Sequence, residues 1–186
     1  MRLVFFESTT VQIAAGLRNG TYDVGFARSP LLSAESENHI ILTQDEMCVA
    51  VPVTSELAGR PSITLRELKD YPFICHSSSE VPGLNYLFHF ICDAAGFTPR
   101  IEQEAAQIQT LVSLVESGLG VAVVPSCVAD HPRPAVRFIP LVSSVPVQTG
   151  IALLWREEEK IPLVRHFYNA AIEVFQRKES ENNSRA

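Results

Sequence analysis

Hydroxyl-bearing residues and one arginine stand where short apolar runs end. Ser8, Thr9 and Thr10 follow residues 2–6, Arg28 follows residues 22–26, His76, Ser77, Ser78 and Ser79 follow residues 73–75, and Pro125 and Ser126 follow residues 121–124. If those runs are strands of an open parallel sheet, their carboxyl ends are where a ligand collects. Ser8–Thr10 and Ser77–Ser79 also stand at or near helix starts, where unpaired backbone amides and the positive dipole end favour an anion. With Arg28 adding a charge-assisted contact, the chemistry suits a small carboxylate. The plainer role for a Ser or Thr before a helix is an N-cap, and for an arginine an exposed surface position.

Other chemistries are less well supplied. His89 and Cys92 are three apart on a helical stretch, but no further ligand is placed by spacing, so both are assigned to core packing and no metal is expected. Cys75 and His76 are strand neighbours whose side chains point to opposite faces, which disqualifies them as a thiolate pair. No G-x-S-x-G elbow occurs, and Gly118-Leu119-Gly120 precedes a strand instead of following one, so it reads as a helix stop and not a dinucleotide fingerprint. Paired carboxylates do not stand out. No catalytic residue and no cofactor is assigned, and the chain is read as a non-enzyme.

The elements that must hold these residues follow from pattern. Residues 2–6, 22–26, 39–43, 46–53, 73–75, 100–104, 121–124, 136–141 and 149–155 read as strands. Helices are expected over 10–18, from Thr64 with Glu67 completing a capping box, over 84–95 stopped by Gly96, and around Ile108, Leu111, Val112 and Val115 stopped by Gly118. A last amphipathic helix carries Val164, Phe167, Tyr168, Ala171, Val174 and Phe175, after which residues 178–186 are expected to fray, and residues 156–160 form a charged turn. Short apolar strands alternating with helices imply an α/β fold with parallel pairing and right-handed crossovers.

Two such clusters are visible. They suggest lobe 1 from residues 1–46 and 150–186, and lobe 2 from residues 47–149. If residues 150–155 run back alongside residues 48–53, two strands cross between the lobes, the final helix packs on the first cluster, and the molecule is a hinge protein.

Of 186 residues, 15 are Lys or Arg and 21 Asp or Glu, a net charge of −6, with 46% hydrophobic residues. No basic cluster offers a grip on a phosphate backbone, and no apolar run is long enough for a membrane span. Cys48, Cys75, Cys92 and Cys127 form no CxxC pair, which fits buried, reduced thiols in a cytoplasmic protein.

Five stretches carry a resemblance: Leu17-Arg18-Asn19-Gly20-Thr21-Tyr22-Asp23-Val24-Gly25-Phe26-Ala27-Arg28; Cys48-Val49-Ala50-Val51-Pro52 with Leu57-Ala58; residues 65–72; Ala95-Gly96-Phe97-Thr98-Pro99; and residues 114–125. In order and spacing they resemble the effector-binding domain of a LysR-type transcriptional regulator, across nearly the whole chain. The Gly-Phe-Ala-Arg form resembles the branch that responds to aromatic acids and muconates. The resemblance implies a two-lobed, periplasmic-binding-protein-like fold of type 2 with two crossing hinge strands. Thr10, Arg28 and the loop from Ser77 to Leu84 would then line an effector cleft. It also implies a homo-oligomer, dimer or tetramer, and promoter DNA bound through an N-terminal domain of the parent protein. The family's effector domain has a strand and helix before the position of Arg2, so a bare strand edge and exposed apolar surface are expected in lobe 1. Two other readings share the scaffold: a transporter's solute-binding protein, and a small-molecule enzyme.

Overall fold

A computed structural model describes residues 2–32, 38–156 and 162–183. Its elements run α1 (Thr10–Asn19), β1 (Val24–Ser29), β2 (His39–Ile41), β3 (Met47–Pro52), β4 (Ile63–Thr64), β5 (Pro72–His76), α2 (Pro82–Ala94), β6 (Arg100–Ala105), α3 (Ile108–Glu116), β7 (Ala122–Pro125), β8 (Val136–Val142), β9 (Gly150–Trp155) and α4 (Pro162–Asn183). They gather into two compact units, one of Met1–Thr43 with Gly150–Ala186 and the other of Gln44–Thr149.

In the first unit Thr9 caps α1: its hydroxyl accepts from the Gln12 amide at 3.4 Å, while its own amide donates to Gln12 Oε1 at 3.1 Å. Gly20, at φ 79°, turns the chain out of the helix. β9 lies between β1 and β2 and is antiparallel to both. Alternation along β1 sends Ala27 to one face, where Ile13 and Leu17 of α1 close a core with Ala152 and Leu154. Phe26 points to the other face and meets Phe167 of α4 edge-on at 6.2 Å, while Trp155 stacks on Tyr168 at 5.2 Å.

Several expectations for this unit are corrected. Residues 2–6 are not a strand, because among the described residues no strand pairs with them, and their apolar side chains are exposed. β9 does not run beside β3. Its hydrogen-bonding groups are taken by β1 and β2, and the two connecting stretches pair at Asp45 and Thr149, which exchange amide-to-carbonyl bonds of 2.7 and 3.0 Å. On α4 Val174 faces solvent while Ile172 is half-buried in its place, and the helix continues to Asn183 instead of fraying from residue 178. Apart from Arg156, the expected charged turn lies outside the described residues.

In the second unit α2 joins β5 to β6 and α3 joins β6 to β7. A helix between strands returns the chain to the same end, so these strands pair parallel, β5 with β6 throughout and β5 with β7 at Phe73 and Val121. β3 has no crossover helix to its partners and is antiparallel to both β7 and β8, while the short β4 is parallel to β8. Purely parallel pairing is therefore corrected to a mixed sheet. β5 is covered on both faces, so Phe73, Ile74, Cys75 and His76 are all buried despite alternating direction. Gly96 and Gly118, both at φ 84°, end α2 and α3 as their sequence positions suggest.

The expected helix after Thr64 is only a 3-10 turn, Leu65–Leu68, because Pro72 opens β5 four residues on. Its capping acid is in place: Glu67 accepts from the Thr64 amide and the Thr64 hydroxyl, both at 2.8 Å. The amide bond, then the hydroxyl bond, holds the Glu67 carboxyl below its ordinary value of 4.5, with Arg60 adding to them. A lowered folded-state value means stability that is present above the ordinary value and lost as pH falls through the lowered one. Glu67→Gln should therefore flatten the acid limb of a melting-temperature profile below about pH 4.5; an unchanged limb would show that this cap adds nothing.

Cys48, Cys75 and Cys92 are buried, and desolvation pushes each thiol up to about 12, whereas Cys127 is only half-buried. That corrects the reading of four buried cysteines. A disulfide-exchange reagent at mildly alkaline pH should modify Cys127 alone in the native chain and all four in denaturant, and rapid native modification of more than one thiol would contradict this packing.

Candidate functional site

Two groups of polar residues form at strand ends, one in each unit. In the first unit, Gly25 lies against Ile13 and Gly16 against the Tyr22 ring. These two contacts make α1 run back antiparallel to β1. The amino end of the helix, with Thr10, therefore lies toward the carboxyl end of the strand, with Arg28. Thr10 is buried as the first helical residue and Arg28 is half-buried. Ser8 and Thr9 are already engaged: the Ser8 hydroxyl shares a 3.0 Å hydrogen bond with the Tyr22 hydroxyl, and Thr9 closes the capping box. This edge holds a helix amino end, a buried threonine and a guanidinium, a chemistry that suits a carboxylate.

In the second unit, β5, β6 and β7 are parallel and so end at one edge. His76 closes β5 and is buried; its carbonyl accepts from Asn85 Nδ2 at 2.7 Å, which ties α2 to the strand end. The Ser77 and Ser79 hydroxyls are 3.0 Å apart, and the Ser77 amide donates to the Ala105 carbonyl. Ser126 opens the 3-10 turn after β7, and its amide donates to the Glu46 carbonyl at 2.8 Å. Leu84 and Pro125 are buried; Leu84 packs in the main core of the unit with Phe73, Phe88 and Ile91.

Two residues of this edge escape a reading of hydroxyl clusters. Glu104, at the end of β6, accepts from the Ser78 amide at 3.3 Å, so an internal carboxylate lies where an anion was expected. The strand-end rule that singles out Ser77 would have found it, had the end of β6 been counted with the others. Asn85 carries no such signal, since it stands within the apolar pattern of α2. The edge as built offers hydroxyls and an acid, a surface that accepts hydrogen bonds from ligand hydroxyls as readily as it donates.

His89 is exposed on α2, its ring edge-on to Phe88, while Cys92 one turn on is buried. Core packing therefore holds for the cysteine and is corrected for the histidine. Among the described residues, no group of three or more His, Cys, Asp or Glu could hold a metal, and no helix is long and apolar enough to cross a membrane.

Comparison with known proteins adds to this geometry. The family model described as the LysR substrate binding domain matches residues 1–176. The HTH-type transcriptional regulator AlsR of Bacillus subtilis is 31% identical over 152 residues, covering 81% of this chain and 49% of its own length. Among solved structures, the effector-binding domain of QuiR in complex with shikimate superposes with a TM-score of 0.80 at 22% identity, over 94% of this chain and 81% of that one. The BenM effector-binding domain with its effector benzoate gives 0.74 at 21% identity, over 94% and 78%. The chain spans about half the length of the curated relatives it matches.

Proposed function

The chain belongs to the LysR substrate-binding domain family, and from that premise we propose that it is the ligand-sensing part of a transcriptional regulator whose effector is a small organic acid, an aromatic or muconate-like carboxylate. One observation carries this reading: the amino end of α1 and the carboxyl end of β1 bring Thr10 and Arg28 to one edge, the chemistry that a carboxylate needs. The strand-end edge of the second unit, with the hydroxyls of Ser77, Ser79 and Ser126 and the Glu104 carboxylate, has the groups that would pair with hydroxyls of such a ligand. Ligands named for the structural neighbours, shikimate and benzoate, are both acids of this size.

A ligand shifts the protein only by binding one arrangement of it better than another, and that differential affinity is the signal. In the whole regulator the readout would be promoter DNA, bound through a helix-turn-helix part such as the relatives' names describe. The protein would act in the cytoplasm, as a homo-oligomer.

A thermal-shift panel of benzoate, cis,cis-muconate and shikimate tests the proposal. Ligand at a hundred times its Kd adds about 2.7 kcal/mol, which for a chain of this size raises Tm by roughly 5–10 °C. A cooperative melt unmoved by every acid in the panel would overturn the carboxylate reading.

A further inference from the structure

Asn85 is a polar side chain in an apolar place. It stands on α2 with Leu84, Leu87, Phe88 and Ile91, all buried, and is itself only 9% exposed. Its Nδ2 donates to the His76 carbonyl at 2.7 Å and, more weakly, to Cys75 Sγ at 3.9 Å. Both acceptors belong to the end of β5, so the amide nitrogen is engaged inside the protein. An apolar residue of similar shape would pack in the same place without the cost of desolvating an amide. A satisfied buried polar group fixes one geometry instead, because any shift of the strand against the helix leaves it unpaired.

That geometry governs the loop that bears the hydroxyls of the second unit's edge. Residues 77–81 follow the end of β5 and lead into α2 through Val81, whose side chain supplies no cap to the helix. On one side the loop is held by β6: the Ser77 amide donates to the Ala105 carbonyl at 3.0 Å, and the Ser78 amide to Glu104 at 3.3 Å. On the other side it is held by α2. The Val81 amide donates to the Ser77 carbonyl at 2.9 Å, the Asn85 amide to the Val81 carbonyl at 3.2 Å, and the Asn85 side chain to the His76 carbonyl. Together these bonds close a ring at the base of the loop, and within that ring the side-chain bond comes from Asn85.

We propose that Asn85 is the positioning residue of the second unit's ligand edge. By tying the His76 carbonyl to the first turns of α2 it sets where the Ser77 and Ser79 hydroxyls stand, and with them the preference for a hydroxylated acid over one without hydroxyls. Its bearing on ligand choice rests on the carboxylate effector proposed above; its hold on the loop does not.

Amide hydrogen exchange of the unliganded chain, followed by titration with shikimate and with benzoate, tests this, with circular dichroism melts to show that each variant folds. In Asn85→Leu, which keeps the helix and most of the volume, the Ser77 and Val81 amides should exchange roughly tenfold faster, the worth of one buried hydrogen bond. The Ile74 amide, held by the Val121 carbonyl, should keep its wild-type rate. The Kd for shikimate should rise roughly tenfold, and that for benzoate, which has no hydroxyl, should hold. Asn85→Asp separates the bond from the packing. A buried carboxyl is protonated toward low pH and then donates to the His76 carbonyl, whereas once ionised it repels that oxygen. Protection of the loop, measured against each amide's intrinsic rate, should therefore return in this variant as pH falls, and not in Asn85→Leu. The titratable groups near it on β5 and β6, Cys75, His76 and Glu104, are common to all three proteins, so their own titration cancels in the comparison. Unchanged exchange at Ser77 and Val81, equal acceleration at Ile74, no return of protection in Asn85→Asp, or an equal loss of both acids would each overturn the proposal. If the wild type binds neither acid, the carboxylate reading fails by itself, and exchange still decides whether Asn85 holds the loop.

Discussion

Phe73→Ala is expected to cost about 3–5 kcal/mol of the stability of the second unit, the range for removing a large aromatic from a closed core. Phe73 is fully buried in the central parallel strand β5. Its ring is 5.2 Å from Phe88 of α2 and 6.1 Å from Phe97, which follows the same helix. The surrounding core includes Leu68, Ile91 and Val121, so strand, helix and 3-10 turn all lose a common partner. The backbone there cannot close in, because β5 is fixed on both sides, by β6 and by the Val121 bridge. Urea unfolding followed by far-ultraviolet circular dichroism reads the loss, and Phe73→Leu, which keeps most of the volume, should lose less. A loss under about 1 kcal/mol for the alanine variant would mean that the site collapses freely and that the ring is not enclosed as described.

Arg28→Ala is expected to raise the Kd for benzoate, muconate or shikimate, whichever stabilises the wild type, by about thirtyfold or more, because truncating one partner of a hydrogen-bonded charge pair costs about 2–5 kcal/mol. The half-buried Arg28 is not among the residues that close the α1 core, so the variant should still melt cooperatively. Arg28→Lys separates charge from geometry: it keeps the cation but not the planar fork, and an intermediate affinity is the expected result. Isothermal titration gives both numbers. Unchanged affinity in Arg28→Ala would remove the guanidinium from the site and with it the role assigned to this edge.

How much of this was legible in the sequence differs from element to element. α3 was written in Ile108, Leu111, Val112 and Val115 and closed by Gly118, and the structure has it at Ile108–Glu116. The Thr64–Glu67 box was equally legible, since a cap is a contract between residues three apart. The length of the element it opens was not, because Pro72 and β5 decide that. Residues 2–6 have every local property of a strand, yet a strand exists only where a neighbour exchanges hydrogen bonds with it, and none of the described strands pairs with them. At the site, the Ser77–Ser79 cluster could be placed at the end of β5, but the acid that reaches the Ser78 amide comes from β6, 26 residues away.

The sequence by itself therefore determined α1, α2 and α3 with the glycines that stop them, the Thr64–Glu67 cap, and the residues standing at the ends of β1, β5 and β7, because each of these rests on neighbours within a few positions. Only the tertiary structure decided which strand lies beside which, that β9 serves β1 and β2 and not β3, and that Glu104 shares an edge with Ser78. Those outcomes depend on hydrogen-bond partners distant along the chain and on the faces that helices leave uncovered, and no local pattern of residues encodes that choice.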